Sequence, residues 1–435
     1  MNVFSTNQLV PHTTFGKAAV KGMASDGGLY LPVTIPTVSK SFLAKLPRLS
    51  FQETAFELAS ILLSDELSPS VLKKAVQKAF FFDAPLVKVS ENMYSLELFH
   101  GPTLAFKDFG AQFMAQVLSH FVKKSKSKVT ILVATSGDTG SAVASGFLNT
   151  PNINVIILYP KGKISHTQEQ QITTAGHNVQ ALEVAGTFDD CQNLVRGAFL
   201  DDELNEHLLM TSANSINIAR LLPQIFYYFY AYGQLKNRDL PLVFSVPSGN
   251  FGNLIAGIMA KRMGLPVDQL IAATNANDTI PVYLKTGDFV PKKSVHTLSN
   301  AMDCGNPNNF TRLKALYGYS LSEMRKDITG TSFSDTQTKQ AIKEVFKKYS
   351  YLLDPHSAVA YLGLKEYLKK NRGPVNGVFL ATAHPAKFAD VMEKLIDAKI
   401  EMPQVLTTAL KKKKVATPMP NNFSAFKKYL LKIKN

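Results

Sequence analysis

Lys107 is the residue best placed for chemistry. It lies in Leu98-Phe99-His100-Gly101-Pro102-Thr103-Leu104-Ala105-Phe106-Lys107-Asp108-Phe109-Gly110, just after a Gly-Pro turn. Ala111, Met114 and Leu118 follow it at helical spacing and form a small apolar face. A lysine at the start of such a helix loses hydration, and the helix N-terminus adds positive potential. Both effects favour the neutral amine, the form that attacks a carbonyl carbon. A lone lysine at a helix start is ordinarily a partly solvated group, so the assignment depends on its company.

That company is a set of loops suited to anions. The β-branched run Val129-Thr130-Ile131-Leu132-Val133 predicts a strand leading into Ser136-Gly137-Asp138-Thr139-Gly140-Ser141-Ala142. A strand, a small polar loop and a helix start aim free N–H groups and the helix dipole at one point. Asn214-Ser215-Ile216-Asn217-Ile218-Ala219-Arg220 opens another helix, with Asn217 and Arg220 three apart on one face. A capped helix with a surface arginine is the plain alternative. Leu242 to Val246 predicts a strand entering Pro247-Ser248-Gly249-Asn250-Phe251-Gly252-Asn253. Its Gly-x-x-Gly spacing allows close approach to a phosphate, yet it is neither a dinucleotide fingerprint nor a Walker loop. Thr382 sits where the strand around Val378 gives way to a loop, at the edge where ligands of parallel sheets lie.

A desolvated lysine plus a backbone phosphate cradle is what pyridoxal 5′-phosphate requires: a Schiff base at its aldehyde and a grip on its phosphate. Other chemistries lack their residues. The two cysteines, Cys191 and Cys304, are far apart, and no Cys/His metal spacing occurs. No Ser-His-Asp set is suggested, and His100, His356 and His384 each lie near Pro or Gly, where they can bond backbone. The residues alone do not choose the substrate.

The elements that must position these groups read as α/β. Up to about Pro85 the chain forms a separate unit, with a Ser25–Pro32 turn region and amphipathic helices at Phe51–Leu63 and Ser70–Phe80. Beyond it, strands alternate with helices, as in a parallel sheet. Pro281 to Asn309 reads as a long loop. With 435 residues, 45% of them hydrophobic, two or more domains are expected. The formal charge of +15 gathers in Lys123-Lys124, Lys411–Lys414 and the tail around Lys427, Lys428, Lys432 and Lys434, where solvated runs are expected. Trp is absent and the tail aromatics Phe423, Phe426 and Tyr429 make a poor stacking platform, so nucleic acid is not the expected partner. The N-terminus lacks signal-peptide features and no apolar run is long enough to span a bilayer, which suits a soluble, cytoplasmic protein.

Several motifs in order resemble those of the threonine synthases, in the longer form with an extra N-terminal domain. They are Gly27-Gly28-Leu29-Tyr30, the Lys107 segment, Ser136–Ala142, Asn214–Arg220, Ser248–Asn253, Ala301-Met302-Asp303 with Gly305-Asn306-Pro307, and Thr382–Phe388. They cover roughly residues 1–395. Ser5-Thr6-Asn7 departs from the family's usual Ser-Thr-Arg, and Cys304 replaces an aliphatic residue. The resemblance implies a fold type II pyridoxal-phosphate enzyme, with the cofactor between two parallel-sheet α/β domains and a mainly helical N-terminal domain. Residues 1–85 would form that N-terminal domain, 86–127 with 229–435 the large domain, and 128–228 the smaller one.

The same resemblance implies that Lys107 bonds the cofactor and acts as the base. Gly249, Asn250, Phe251 and Gly252 would grip its phosphate, and Thr382 would face its pyridine nitrogen. Ser136, Asp138 and Thr139 would serve the substrate carboxylate region, with direct contact left to Ser136, Thr139 and loop amides. Ser215, Asn217 and Arg220 would bind the substrate phosphate. The implied reaction converts O-phospho-L-homoserine and water to L-threonine and phosphate, in a monomer or homodimer. A β-eliminating lyase acting on phosphothreonine, serine or threonine is the alternative.

Overall fold

A computed structural model describes residues 1–123, 128–371 and 373–433; Lys124 and Lys434 of the basic runs lie outside them. In chain order the strands are β1 (Asn2–Ser5), β2 (Thr13–Thr14), β3 (Tyr30–Pro32), β4 (Leu86–Ser90), β5 (Met93–Glu97), β6 (Val129–Ala134), β7 (Ile153–Pro160), β8 (Val179–Ala185), β9 (Leu209–Ser212), β10 (Leu242–Pro247), β11 (Gln269–Thr274), β12 (Ile328–Ser332), β13 (Asn376–Ala381) and β14 (Thr417–Pro420). The N-terminal unit carries a small antiparallel sheet, β2-β1-β3, beside its helices. One of these, Phe51–Leu63, starts at a Ser50–Glu53 capping box and buries Phe51, Ala55, Leu58 and Leu62.

Two further sheets hold the rest. The larger has the order β12-β11-β10-β13-β5-β4, parallel except at β4. The smaller has the order β14-β8-β7-β6-β9 and is parallel throughout. Their central strands are buried from end to end, as in β6, β10 and β13, because helices cover both faces. The Lys107 helix, Lys107–Val122, is nearly as enclosed: Ala111, Met114 and Leu118 are fully buried.

Three expectations need correction. Residues 229–435 do not all belong with the larger sheet. β14 pairs with β8, and the helix Phe423–Leu430 packs Phe426 and Leu430 into the core under the smaller sheet. Nor is Pro281–Asn309 all loop, since a helix runs Thr279–Thr286 and a 3-10 turn Asn300–Met302. The tail lysines are also not all merely solvated. Lys414 bridges Glu169 and Glu183, and Lys427 bridges Asp201 and Glu203.

Candidate active site

The sequence-selected loops meet because each follows the C-terminal end of a parallel strand: β5 before Lys107, β6 before Ser136, β9 before Ser215, β10 before Gly249, and β13 before Thr382. A cavity of about 950 Å³, counting its solvent-open part, is lined by Lys107, Ser136, Asp138, Thr139, Ser215, Arg220, Gly249, Asn250, Phe251, Gly252 and Thr382.

Lys107 is placed by a short cross-connection. Phe106 N–H donates to Thr382 O at 2.9 Å and His384 N–H to Leu104 O at 3.0 Å, around an antiparallel bridge of Ala105 with Ala383. Leu104 takes the left-handed conformation, φ 58°, to make the turn. The Lys107 ammonium lies 4.4 Å from the Phe106 ring centroid. Burial, then the Arg220 charge, lowers its pKa from 10.5 to about 8. Next door, burial raises Asp108 to about 6, although Thr103 Oγ1 and N–H both donate to its carboxylate, at 2.7 and 2.9 Å.

The loop after β10 is a ready anion cradle. Phe251 is left-handed, φ 62°, and caps the helix Gly252–Arg262. Among the described residues the N–H groups of Gly249, Asn250 and Phe251 have no hydrogen-bond partner. A Cβ on Gly249 would lie 2.7 Å from Met302 Cα, so only glycine lets these backbones approach. Asn253 Nδ2 ties the loop back to Pro247 O at 2.7 Å.

On the smaller sheet, Thr135 Oγ1 accepts from Gly137 N and Gly140 N at 3.0 and 2.8 Å, which curls the 136–139 loop. Ser136 and Thr139 face the cavity. Asp138 does too, but its Oδ1 is 2.6 Å from Lys387 Nζ and accepts from Gln168 Nε2 at 2.9 Å. Burial opposes its charge, yet Lys387 and Gln168 together hold its pKa below the ordinary value. Asp138 is therefore spent on a buried ion pair.

Arg220 is enclosed, and among the described residues no carboxylate forms an ion pair with it. Its Nη1 donates to Ala213 O, while its buried Nε has no hydrogen-bond partner. Gly110 makes room for it, since a Cβ there would sit 2.7 Å from Nε. Burial lowers its pKa to about 10, leaving it cationic at neutral pH. Asn217 departs from expectation. It caps the helix through Ala219 N–H and donates to Ala19 O and Ser212 O, each at 2.9 Å. It does not line the cavity; its amide is fully used on backbone and anchors the turn that carries Arg220.

The structure adds groups that sequence reasoning left without a role at the site. Lys387 is fully buried and also donates to Thr103 O at 2.9 Å; its closeness in sequence to Thr382 was the available signal. His356 lines the cavity, with Nδ1 2.7 Å from Asp354 and Nε2 accepting from Ala301 N–H at 3.2 Å, so its proton sits on Nδ1. Cys304 also lines the cavity, its thiol pushed up to about 12 by burial.

Residues 84–382 match the family described as pyridoxal-phosphate dependent enzyme, 2–80 the threonine synthase N terminus, and 357–430 the threonine synthase C-terminal family. The threonine synthase of Haemophilus influenzae is 45% identical over 99% of this chain and 100% of its own length. The chain belongs to the threonine synthase family. It is a pyridoxal-phosphate-dependent lyase of fold type II. The crystal structure of Escherichia coli threonine synthase superposes with a TM-score of 0.93 at 42% identity, covering 99% of both chains. That of a pyridoxal-phosphate-bound threonine synthase from Brucella melitensis gives 0.92 at 36% identity, again over 99% of both. The residues fit the cofactor: a cavity-facing amine with no hydrogen-bond partner among the described residues, a cradle of unpartnered N–H groups and a threonine at the β13 edge surround one cavity. The C-terminal match also gives the lysine-rich tail a place in the threonine synthase fold. Among the described residues no helix is long and apolar enough to cross a membrane.

Proposed function

We propose that this chain converts O-phospho-L-homoserine and water to L-threonine and phosphate, with the residue roles that follow. Lys107 is the residue that would hold the cofactor at its aldehyde. The N–H groups of Gly249, Asn250, Phe251 and Gly252 hold the cofactor phosphate at the start of the helix they precede. Thr382 meets the pyridine nitrogen with a hydroxyl, which does not force that nitrogen to be protonated. When bound, pyridoxal phosphate supplies an electron sink for the carbanion at the substrate's Cα.

With substrate in place of its own amine on the cofactor, Lys107 would be free to take the Cα proton and then a Cβ proton. Phosphate would leave Cγ with the C–O electron pair, Cγ would gain a proton, water would give its hydroxyl to Cβ, and a proton would return to Cα. Base catalysis of this kind contributes on the order of a hundred- to ten-thousandfold in rate. Ser136, Thr139 and loop amides hold the substrate carboxylate; Asp138, neutralised by Lys387, shapes the loop. Arg220 and Ser215 take the phosphate, and charge on the guanidinium stabilises the leaving group. Asn217 serves this site by holding the Arg220 turn in place.

The observation that carries the reading is the buried Arg220 guanidinium, with no ion-paired carboxylate among the described residues, in the same cavity as Lys107. Cofactor-loaded protein given O-phospho-L-homoserine is expected to release threonine and phosphate in equal amounts. Accumulation of 2-oxobutyrate in place of threonine would assign it to the eliminating lyases. The working form is a cytoplasmic monomer or homodimer that acts on this small molecule and binds no nucleic acid. Gel filtration and gel shifts test those assignments.

A further inference from the structure

A second arginine lies behind the cavity wall, and the mechanism above does not use it. Arg312 is fully buried and has no carboxylate partner among the described residues. Its donors go to acceptors from three parts of the chain. Nε donates to Tyr30 O at 3.0 Å, Nη1 to Ser215 O at 2.9 Å and Asn309 Oδ1 at 2.7 Å, and Nη2 to Ile216 O at 2.6 Å. Burying a cation without a counter-ion is costly, so an uncharged residue would serve better if the need were only to fill space.

Asn309, also fully buried, is oriented by this arginine. Its Oδ1 accepts from the guanidinium, and a flipped amide would set N–H against N–H. Its Nδ2 therefore points the other way, donating to Asn250 O at 2.9 Å and Ser215 Oγ at 3.3 Å. A serine hydroxyl has one proton and two lone pairs. Since Ser215 Oγ accepts from Asn309 and has no other partner among the described residues, its proton is free for the cavity it shares with Arg220. A phosphate there offers only acceptors.

We propose that Arg312 and Asn309 are positioning residues that aim the Ser215 hydroxyl proton at the substrate phosphate. The proposal rests on the reading that Ser215 binds that phosphate. It makes Ser215 a donor by construction, and it ties the same amide to the cofactor-phosphate loop through Asn250 O.

The test is a double-mutant cycle in the cofactor-loaded enzyme, with O-phospho-L-homoserine as substrate and inorganic phosphate as competitive probe. Ser215→Ala and Asn309→Ala are each expected to raise KM and the phosphate inhibition constant about tenfold, with kcat changed less, as for loss of a hydrogen bond to a charged group. In the Ser215→Ala background, Asn309→Ala should add less than about twofold, because the two act through one hydroxyl. Should Asn309→Ala fold poorly, Arg312→Lys, which keeps the charge but loses the planar fork, is expected to give the same KM rise. If Ser215→Ala leaves KM unchanged, the reading of Ser215 falls and takes the proposal with it. If Ser215→Ala acts but the effect of Asn309→Ala multiplies with it, or shows only as a lower melting temperature, the positioning proposal alone is overturned.

Discussion

At Lys107, loss of water and the nearby Arg220 charge push the same way, toward a neutral amine near physiological pH. The rate at which cofactor-free protein bonds added pyridoxal phosphate should therefore climb with pH through about 8, since only the neutral amine attacks. Replacing Arg220 by Ala removes a repelling cation, so the midpoint should move to higher pH. Absorbance-monitored reconstitution across pH measures both, and an unmoved midpoint would remove Arg220 from the account. The same substitution should leave cofactor affinity near normal while raising KM for O-phospho-L-homoserine about a hundredfold, the scale of a charge-assisted contact. The place of Lys107 at the cavity was legible because an apolar helical face around a lysine has a chemical meaning in any fold. Asn217 was misread because helical spacing shows which residues share a face, but not that an amide at a helix start is consumed by the backbone. Lys387 was missed because its partners, Asp138 and Thr103, are brought to it only by the tertiary fold.

At the scale of elements, the site is a set of strand-end loops, and the one after β10 depends on a close approach. Gly249→Ala forces a Cβ against the Met302 backbone. It should weaken cofactor binding by at least about tenfold, read by fluorescence titration, since a shift of that loop breaks several N–H contacts together. The Asp138–Lys387 pair joins the loop after β6 to the loop after β13. Lys387→Met would leave a buried carboxylate unpaired, and a loss of about 3–5 kcal/mol in denaturant unfolding is expected. The alternation of strand and helix was plain in the sequence because buried parallel strands are continuous apolar runs. β14 was not, as Thr417-Pro418-Met419-Pro420 has two prolines and becomes a strand only because it lies on an edge.

For the whole molecule, three units share one cavity's support. Ser215 and Arg220 follow the smaller sheet, Thr382 and Gly249 the larger, and Tyr30 of the N-terminal unit accepts from Arg312 behind them. In the sequence the N-terminal unit is set apart by its own turn and helices. It put the last residues with the wrong sheet, because a return across the molecule leaves no local periodicity. That return is strong: Phe426, fully buried, packs with Leu430 and Met419 under β8 and β7. Phe426→Ala should destabilise the protein by about 3–5 kcal/mol, measured by denaturant unfolding.

The position of β14 bears on how the protein is made. A ribosome delivers residues 417–420 after β4 to β13, so the margin of β8 stays bare while those strands have already emerged. During that interval a bare margin is a template for any neighbouring nascent chain. Crowded, rapid expression should thus favour clumping of unfinished chains over clumping of finished ones.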